Sequence, residues 1–199
     1  IDYVYDALNR MTDKKFPGNA VLDAQYKYDL GSRLTDADIA AADGAKNHFT
    51  YDALNRLKTV ANTLSPMTYN LTYDYDQAGS RTKITYPSGK VVEYIPDEHD
   101  RTDKVKVDGV TLVDYNYDPL DRRTTKEYRT APNAQRTTYT FDIADQLKDL
   151  THEVVGGDVI GRYAYPVYDN VGNRKRMIGP QGTENYGYNT IYELTTVSS

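Results

Sequence analysis

The chain has 199 residues, of which 24 are basic and 29 acidic, for a net charge of −5, and 39% are hydrophobic. The absence of cysteine excludes a disulfide scaffold, thiolate-bound zinc, an iron–sulfur cluster and a cysteine nucleophile. A mean hydropathy of −0.73 without a long apolar run excludes a spanning helix, and mild acidity argues against a nucleic-acid partner. Ile1 is followed directly by Asp2, so this start has no basic-then-apolar leader. Tyrosine numbers 20, against three phenylalanines and no tryptophan. A disordered chain lacks aromatics, so the low hydropathy does not mean disorder; tyrosine is the expected core residue, in shallow, half-wet layers.

In chain order the sequence repeats itself. YVYDALNRMT begins at Tyr3, YKYDLGSRLT at Tyr26 and FTYDALNRLK at Phe49. The stretch Asp36 to Lys46 is the one segment of helix-like composition and predicts a short helical turn or exposed loop. A weaker copy, YDYDQAGSRTK, starts at Tyr73, and Tyr86-Pro-Ser-Gly-Lys90 predicts a turn between strands Thr82–Tyr86 and Val91–Tyr94. Tyr94 keeps the register without its Asp. Asp97-Glu98-His99-Asp100-Arg101, near Asp103, is an acidic knot. Asp108-Gly109 between alternating apolar residues is a strong hairpin signal. YNYDPLDRRT from Tyr115, YTFDIADQLK from Tyr139, a second hairpin signal over Val154 to Val159, PVYDNVGNR from Pro166 and YGYNTIYEL from Tyr186 follow. Aligned on Tyr-Asp, about nine units of roughly 20–25 residues fill the chain without a linker. The expectation is a single array over residues 1–199, either a segment of a longer array or a self-assembling unit.

Residue chemistry explains the motif. Aromatics two apart share one face of a strand, and aromatic and Thr enrichment favours strand over helix. Asp opens a turn because its carboxylate accepts nearby backbone N–H bonds. Asn9, Gly31, Asn55, Gly79, Asp121 and Gly172 stand where a tight turn requires turn chemistry or a positive φ. Closing the hairpin across Asp6 to Asn9 sets Arg10 opposite Tyr5, with the Asp of its own unit as an alternative partner. The expected structural set is Tyr5, Asp6 and Arg10; Tyr28, Asp29 and Arg33; Tyr51, Asp52 and Arg56; Tyr75, Asp76 and Arg81; Tyr117, Asp118 and Arg122; Tyr168, Asp169 and Arg174. The predicted fold is all-β, a repetitive strip of antiparallel hairpins that winds or stacks as a spiral sheet. Each unit leaves its aromatic face for a neighbour to cover.

The copies YDALNRMT, YDLGSRLT, YDALNRLK and YDNVGNR resemble the YD-repeat, or RHS-repeat, family, and the resemblance runs over nearly the whole chain. It implies long β-hairpins wound into a continuous strip, which in large members closes into a shell around a toxic C-terminal polypeptide. The family includes insecticidal-toxin components, contact-dependent toxins, wall-associated proteins and teneurins. The family's Asp-Pro-x-Gly-rich core and its autoproteolytic site have no counterpart here; Gly179-Pro180-Gln181-Gly182 is a repeat turn. The resemblance implies a non-catalytic wall segment of a secreted or bacterial cell-surface protein. Its strand edges would pair with other YD-repeat segments or with copies of itself. A carbohydrate-binding module and part of a toxin-enclosing shell are the alternatives.

No enzyme signature competes. His48, His99 and His152 stand far apart and form no metal-ligand motif. The acidic knot around His99 has oxygen ligands for a hard cation, but a solvated turn that lost its Tyr-Asp pair is the better explanation. Asp36, Asp38 and Asp43-Gly44 evoke a calcium loop, which Ala40 spoils. Repeated carboxylates are explained by turn formation and not by glycoside hydrolysis. There is no nucleophile elbow, phosphate loop or dinucleotide fingerprint, and no cofactor or metal is expected. Tyr163 and Tyr165, with Tyr168 the densest tyrosine group, are the candidate platform for a glycan or partner.

Overall fold

A computed structural model describes residues 1–18, 23–39, 44–129 and 133–199. These form eighteen β-strands and no helix, so none is long and apolar enough to cross a membrane. The strands are β1 (Asp2–Tyr5), β2 (Met11–Lys15), β3 (Ala24–Tyr28), β4 (Leu34–Ile39), β5 (Lys46–Tyr51), β6 (Leu57–Leu64), β7 (Met67–Tyr75), β8 (Arg81–Thr85) and β9 (Val91–Pro96). They continue as β10 (Thr102–Val107), β11 (Val110–Tyr117), β12 (Arg123–Tyr128), β13 (Gln135–Phe141), β14 (Leu147–Val154), β15 (Val159–Tyr168), β16 (Arg174–Gly179), β17 (Gly182–Tyr188) and β18 (Leu194–Ser198).

The chain divides into two compact units. One comprises Ile1–Tyr94 with Val107–Gly109, the other Ile95–Lys106 with Val110–Ser199. In the first, each strand from β1 to β8 pairs antiparallel with the next; in the second the same holds from β11 to β18. The architecture is the predicted strip of antiparallel hairpins.

Alternation separates the two faces of each strip. Phe49, Val60 and Leu71 are cross-strand neighbours on one face, and Thr50, Thr59 and Thr72 on the other. A single sheet layer has no opposing layer to bury its rings. Ile84, Val113 and Tyr165 are accordingly the only apolar side chains below 9% exposure among the described residues. Most tyrosines are half-buried, as expected of a shallow core, while Tyr3, Tyr5, Tyr69, Tyr86, Tyr128 and Tyr192 are exposed.

One segment departs from its sequence reading. Asp36–Ile39 completes β4, Lys46 begins β5, and Gly44 and Ala45 are irregular, so the described part of this stretch forms strand ends and connection and no helical turn. Residues 40–43, including Asp43 of the calcium-loop reading, lie outside the described residues.

Candidate functional site

The candidate site is the Asp-to-Arg turn, repeated along both units. In the turn at Asp6, the Asn9 N–H donates to the Asp6 carbonyl at 3.0 Å and the Asp6 N–H to the Arg10 carbonyl at 2.9 Å. Asn9 takes φ 59. This is a type I turn closed by a left-handed residue, and the strand before it carries a bulge that shifts Tyr5 onto Met11. The bulge corrects the expected register: Arg10 does not face Tyr5. The same left-handed position, three residues after the Asp, is filled by Ser32, Asn55, Gly79, Asp100, Asp121, Asp145, Gly172 and Tyr192. In the second turn Ser32, and not the expected Gly31, takes the positive φ.

The carboxylate organises each loop. Asp6 Oδ1 accepts from the N–H groups of Leu8 and Arg10, and Asp6 Oδ2 accepts from Arg10 Nε at 2.7 Å. Arg33, Arg56, Arg101 and Arg122 repeat the Nε bond to Asp29, Asp52, Asp97 and Asp118 at 2.6–2.8 Å. Asp97 shows the electrostatic result most clearly. The Arg101 side-chain bond, together with the N–H groups of Arg101 and His99, outweighs partial desolvation and holds this carboxyl at about 2.

Each of these arginines then leaves its own unit. The Arg10 guanidinium lies 4.8 Å from the centroid of Tyr28, in the next turn, and Nη1 donates to the Asp29 carbonyl and to Ser32 Oγ. Arg33 over Tyr51, Arg56 over Tyr75, Arg101 over Tyr117 and Arg122 over Phe141 repeat the stack at 4.5–4.9 Å. Their Nη1 atoms reach Asn55, the Asp76 carbonyl, Asp121 and Asp145. The ring answers in the opposite direction: the Tyr28 hydroxyl donates to the Met11 carbonyl at 2.9 Å. Tyr51, Tyr75, Tyr117, Tyr168 and Tyr188 bond likewise to the carbonyls of Leu34, Leu57, Thr102, Leu147 and Arg174. One guanidinium thus closes its own loop, stacks on the next ring and pins the next loop, which makes the series a relay of turns.

Two residues of the expected set sit one place out of this relay. Ser80 and Asn173 occupy the arginine position after Asp76 and Asp169, and their N–H groups bond the carboxylates. Arg81 and Arg174, one residue later, stack on the other tyrosine series. Arg81 lies between Tyr73 and Tyr94 at 5.8 and 5.7 Å, and Arg174 is 4.7 Å from Tyr165. Arg123 does the same on Tyr115 at 4.5 Å.

The acidic knot is a complete relay turn that Tyr-Asp alignment misses, because Pro96 stands in the tyrosine place. Asp97 Oδ1 accepts from the His99 and Arg101 N–H groups. Alignment on Asp and Arg four apart finds it, and Asp76, Asp97 and Asp118 then fall at equal steps of 21 residues. Among the described residues no three His, Cys, Asp or Glu side chains are grouped to hold a metal. His48 Nδ1 pairs with Asp36 at 3.0 Å, and His152 Nδ1 with Thr137 Oγ1 at 2.9 Å. Of the two platform candidates, Tyr165 is 8% exposed beneath Arg174. Tyr163 is half-buried, with His152 edge-on to its ring.

No family model matches the chain. Among solved structures, TcdB2-TccC3-Cdc42 is similar over 98% of this chain and 12% of that one, at 12% identity and a TM-score of 0.78. TcdB2-TccC3 without its hypervariable C-terminal region gives 0.77 with the same identity and coverage. The Photorhabdus luminescens Tc holotoxin pore gives 0.55 at 11% identity, over 98% of this chain and 15% of that one. The chain therefore spans about an eighth of the length of the toxin chains whose fold it shares.

Proposed function

We propose that this chain is a non-catalytic wall segment of a YD-repeat, RHS-type protein that works outside the cell. It joins other YD-repeat segments, or copies of itself, along its strand edges. The observation that carries this reading is the use made of the motif's reactive-looking groups. Arg10, Arg33, Arg56, Arg101 and Arg122 are each engaged by a carboxylate, a ring and the following loop. Carboxylates engaged in this way hold a surface together, and within these turns they are not free to act as acid or base. A role within a toxin-enclosing shell is the second reading, favoured by the 98% coverage of this chain in TcdB2-TccC3 structures.

Sedimentation velocity across a wide concentration range, with negative-stain imaging, tests the edge-joining reading. Concentration-dependent association or strips of joined particles is the expected result. A strict monomer at about 100 μM, well above ordinary dissociation constants for specific interfaces, overturns self-joining. The reading frame that encodes the parent protein decides between the wall and shell readings, through the presence or absence of an RHS core and a variable C-terminal region.

A further inference from the structure

Inside the relay the protein repeats one recognition unit: a guanidinium held between a carboxylate at 2.6–2.8 Å and an aromatic ring at 4.5–4.9 Å. In the second unit the ring and the carboxylate occur together without the cation. A cavity of about 350 Å³ is lined by Tyr163, Met177, Gly179, Pro180, Glu184 and Ser199, among others. Glu184 is the one charged side chain lining it.

The backbone explains the cavity. Gly179 pairs directly with Gly182, and Met177 with Glu184, so two glycines leave bare backbone beside the carboxylate. Tyr163 leans over this gap: a Cβ on Gly179 would stand 3.1 Å from its Cδ1. Glu184 lies two residues beyond Gly182 on the same face, a diagonal neighbour of Gly179 at about 7–8 Å. The Tyr186 hydroxyl donates to Glu184 Oε2 at 2.7 Å, which orients the carboxylate. No cationic side chain among the described residues pairs with Glu184.

We propose that this cavity binds the arginine side chain of an extended peptide segment from a partner protein. The guanidinium stacks on Tyr163 and donates to Glu184, as the chain's own arginines do in the relay. A guanidinium suits the site better than a sugar: the aromatic face takes its plane and the carboxylate takes its fork of N–H donors, the two contacts that the relay arginines also make.

The test is a 1H–15N titration of the full chain with N-acetyl-arginine amide, its neutral citrulline counterpart and methyl β-glucopyranoside. Arginine amide is expected to shift Tyr163 and the Gly179 to Glu184 signals saturably, with a dissociation constant on the order of millimolar. The citrulline compound and the Glu184→Gln variant each bind about tenfold more weakly, because each removes one charge-assisted pairing. Glu184→Gln keeps an acceptor for Tyr186, so the fold is preserved. Gly179→Ala, whose methyl group would crowd Tyr163, weakens binding as well. A chain extended past Ser199, which carries the terminal carboxylate away from the cavity, binds unchanged. Equal binding of citrulline, indifference to Glu184→Gln, tighter binding of the glucoside, loss of binding on extension, or no saturable shift overturns the proposal. None of these results bears on the wall reading, which rests on the relay.

Discussion

Tyr28, Tyr51, Tyr75 and Tyr117 each do two jobs at once: the ring receives the arginine of the turn before, and the hydroxyl closes onto that turn's return strand. The chain contains a natural comparison. Phe141 keeps the stack, with Arg122 at 4.9 Å, but has no hydroxyl. Tyr75 has both, donating to the Leu57 carbonyl at 2.8 Å. Tyr75→Phe should therefore lower stability by about 0.5–1.5 kcal/mol, the net worth of one hydrogen bond, and Phe141→Tyr should raise it by a similar amount. By the pattern of the other turns, the new hydroxyl would reach the carbonyl of Arg123. Urea unfolding of the two variants checks both signs. A gain from Tyr75→Phe, or a loss from Phe141→Tyr, would break the equivalence of the two positions. Arginine cannot be exchanged for lysine in this setting without loss, since only a planar fork bonds a carboxylate and a following loop while lying on a ring.

At the scale of the turn, the left-handed position sets the residue type. Asn, Asp and Gly fill most of these places because they tolerate positive φ at least cost. Ser32 and Tyr192 are the exceptions, and Tyr192, at φ 67 and 60% exposed, is the bulky one. Its loop also inverts the usual chemistry. Asn189 replaces Asp and Glu193 replaces Arg, and the bond runs from Asn189 Nδ2 to Glu193 Oε2 at 2.7 Å. Asn189 Oδ1 still accepts from the Ile191 and Glu193 N–H groups, so the loop geometry survives the swap. Tyr192→Asn should stabilise the protein by about 1 kcal/mol, the relief of a bulky residue from the left-handed region. Thermal unfolding would show a raised midpoint. An unchanged or lower midpoint would mean that the Tyr192 ring makes contacts worth more than the strain.

Across the molecule, the same carboxylate environment recurs often enough to govern acid stability. Asp6, Asp29, Asp52, Asp97, Asp118 and Asp169 are all held below the ordinary aspartate value. A carboxyl whose folded value is depressed favours the folded state above its unfolded value, near 3.9, and that contribution fades as the pH falls through the folded value. For Asp97 the window closes at about 2. The urea midpoint should therefore hold steady from pH 7 to about 5 and fall between about 4 and 2. Asp97→Asn should make that fall shallower. A midpoint indifferent to acid would show that the carboxylates are no better placed in the folded chain than in the unfolded one.

Much of this architecture is legible in residue order. Aromatics two apart, an Asp at the turn and a left-handed residue three places on are local requirements, so the sequence alone establishes strands, turns and repeat. It does not establish who partners whom. The Arg10 stack on Tyr28 depends on a bulge that moves Tyr5 onto Met11, and a bulge of one residue leaves little mark in a period-two pattern. The Pro96 turn hides for a related reason: its signature is the Asp97–Arg101 spacing, and the ring is dispensable to the loop itself. Tyr163 and Tyr165 look alike in sequence. Only the tertiary structure separates them, burying one under Arg174 and leaning the other over Gly179, because burial depends on which side chains from neighbouring strands arrive above a ring.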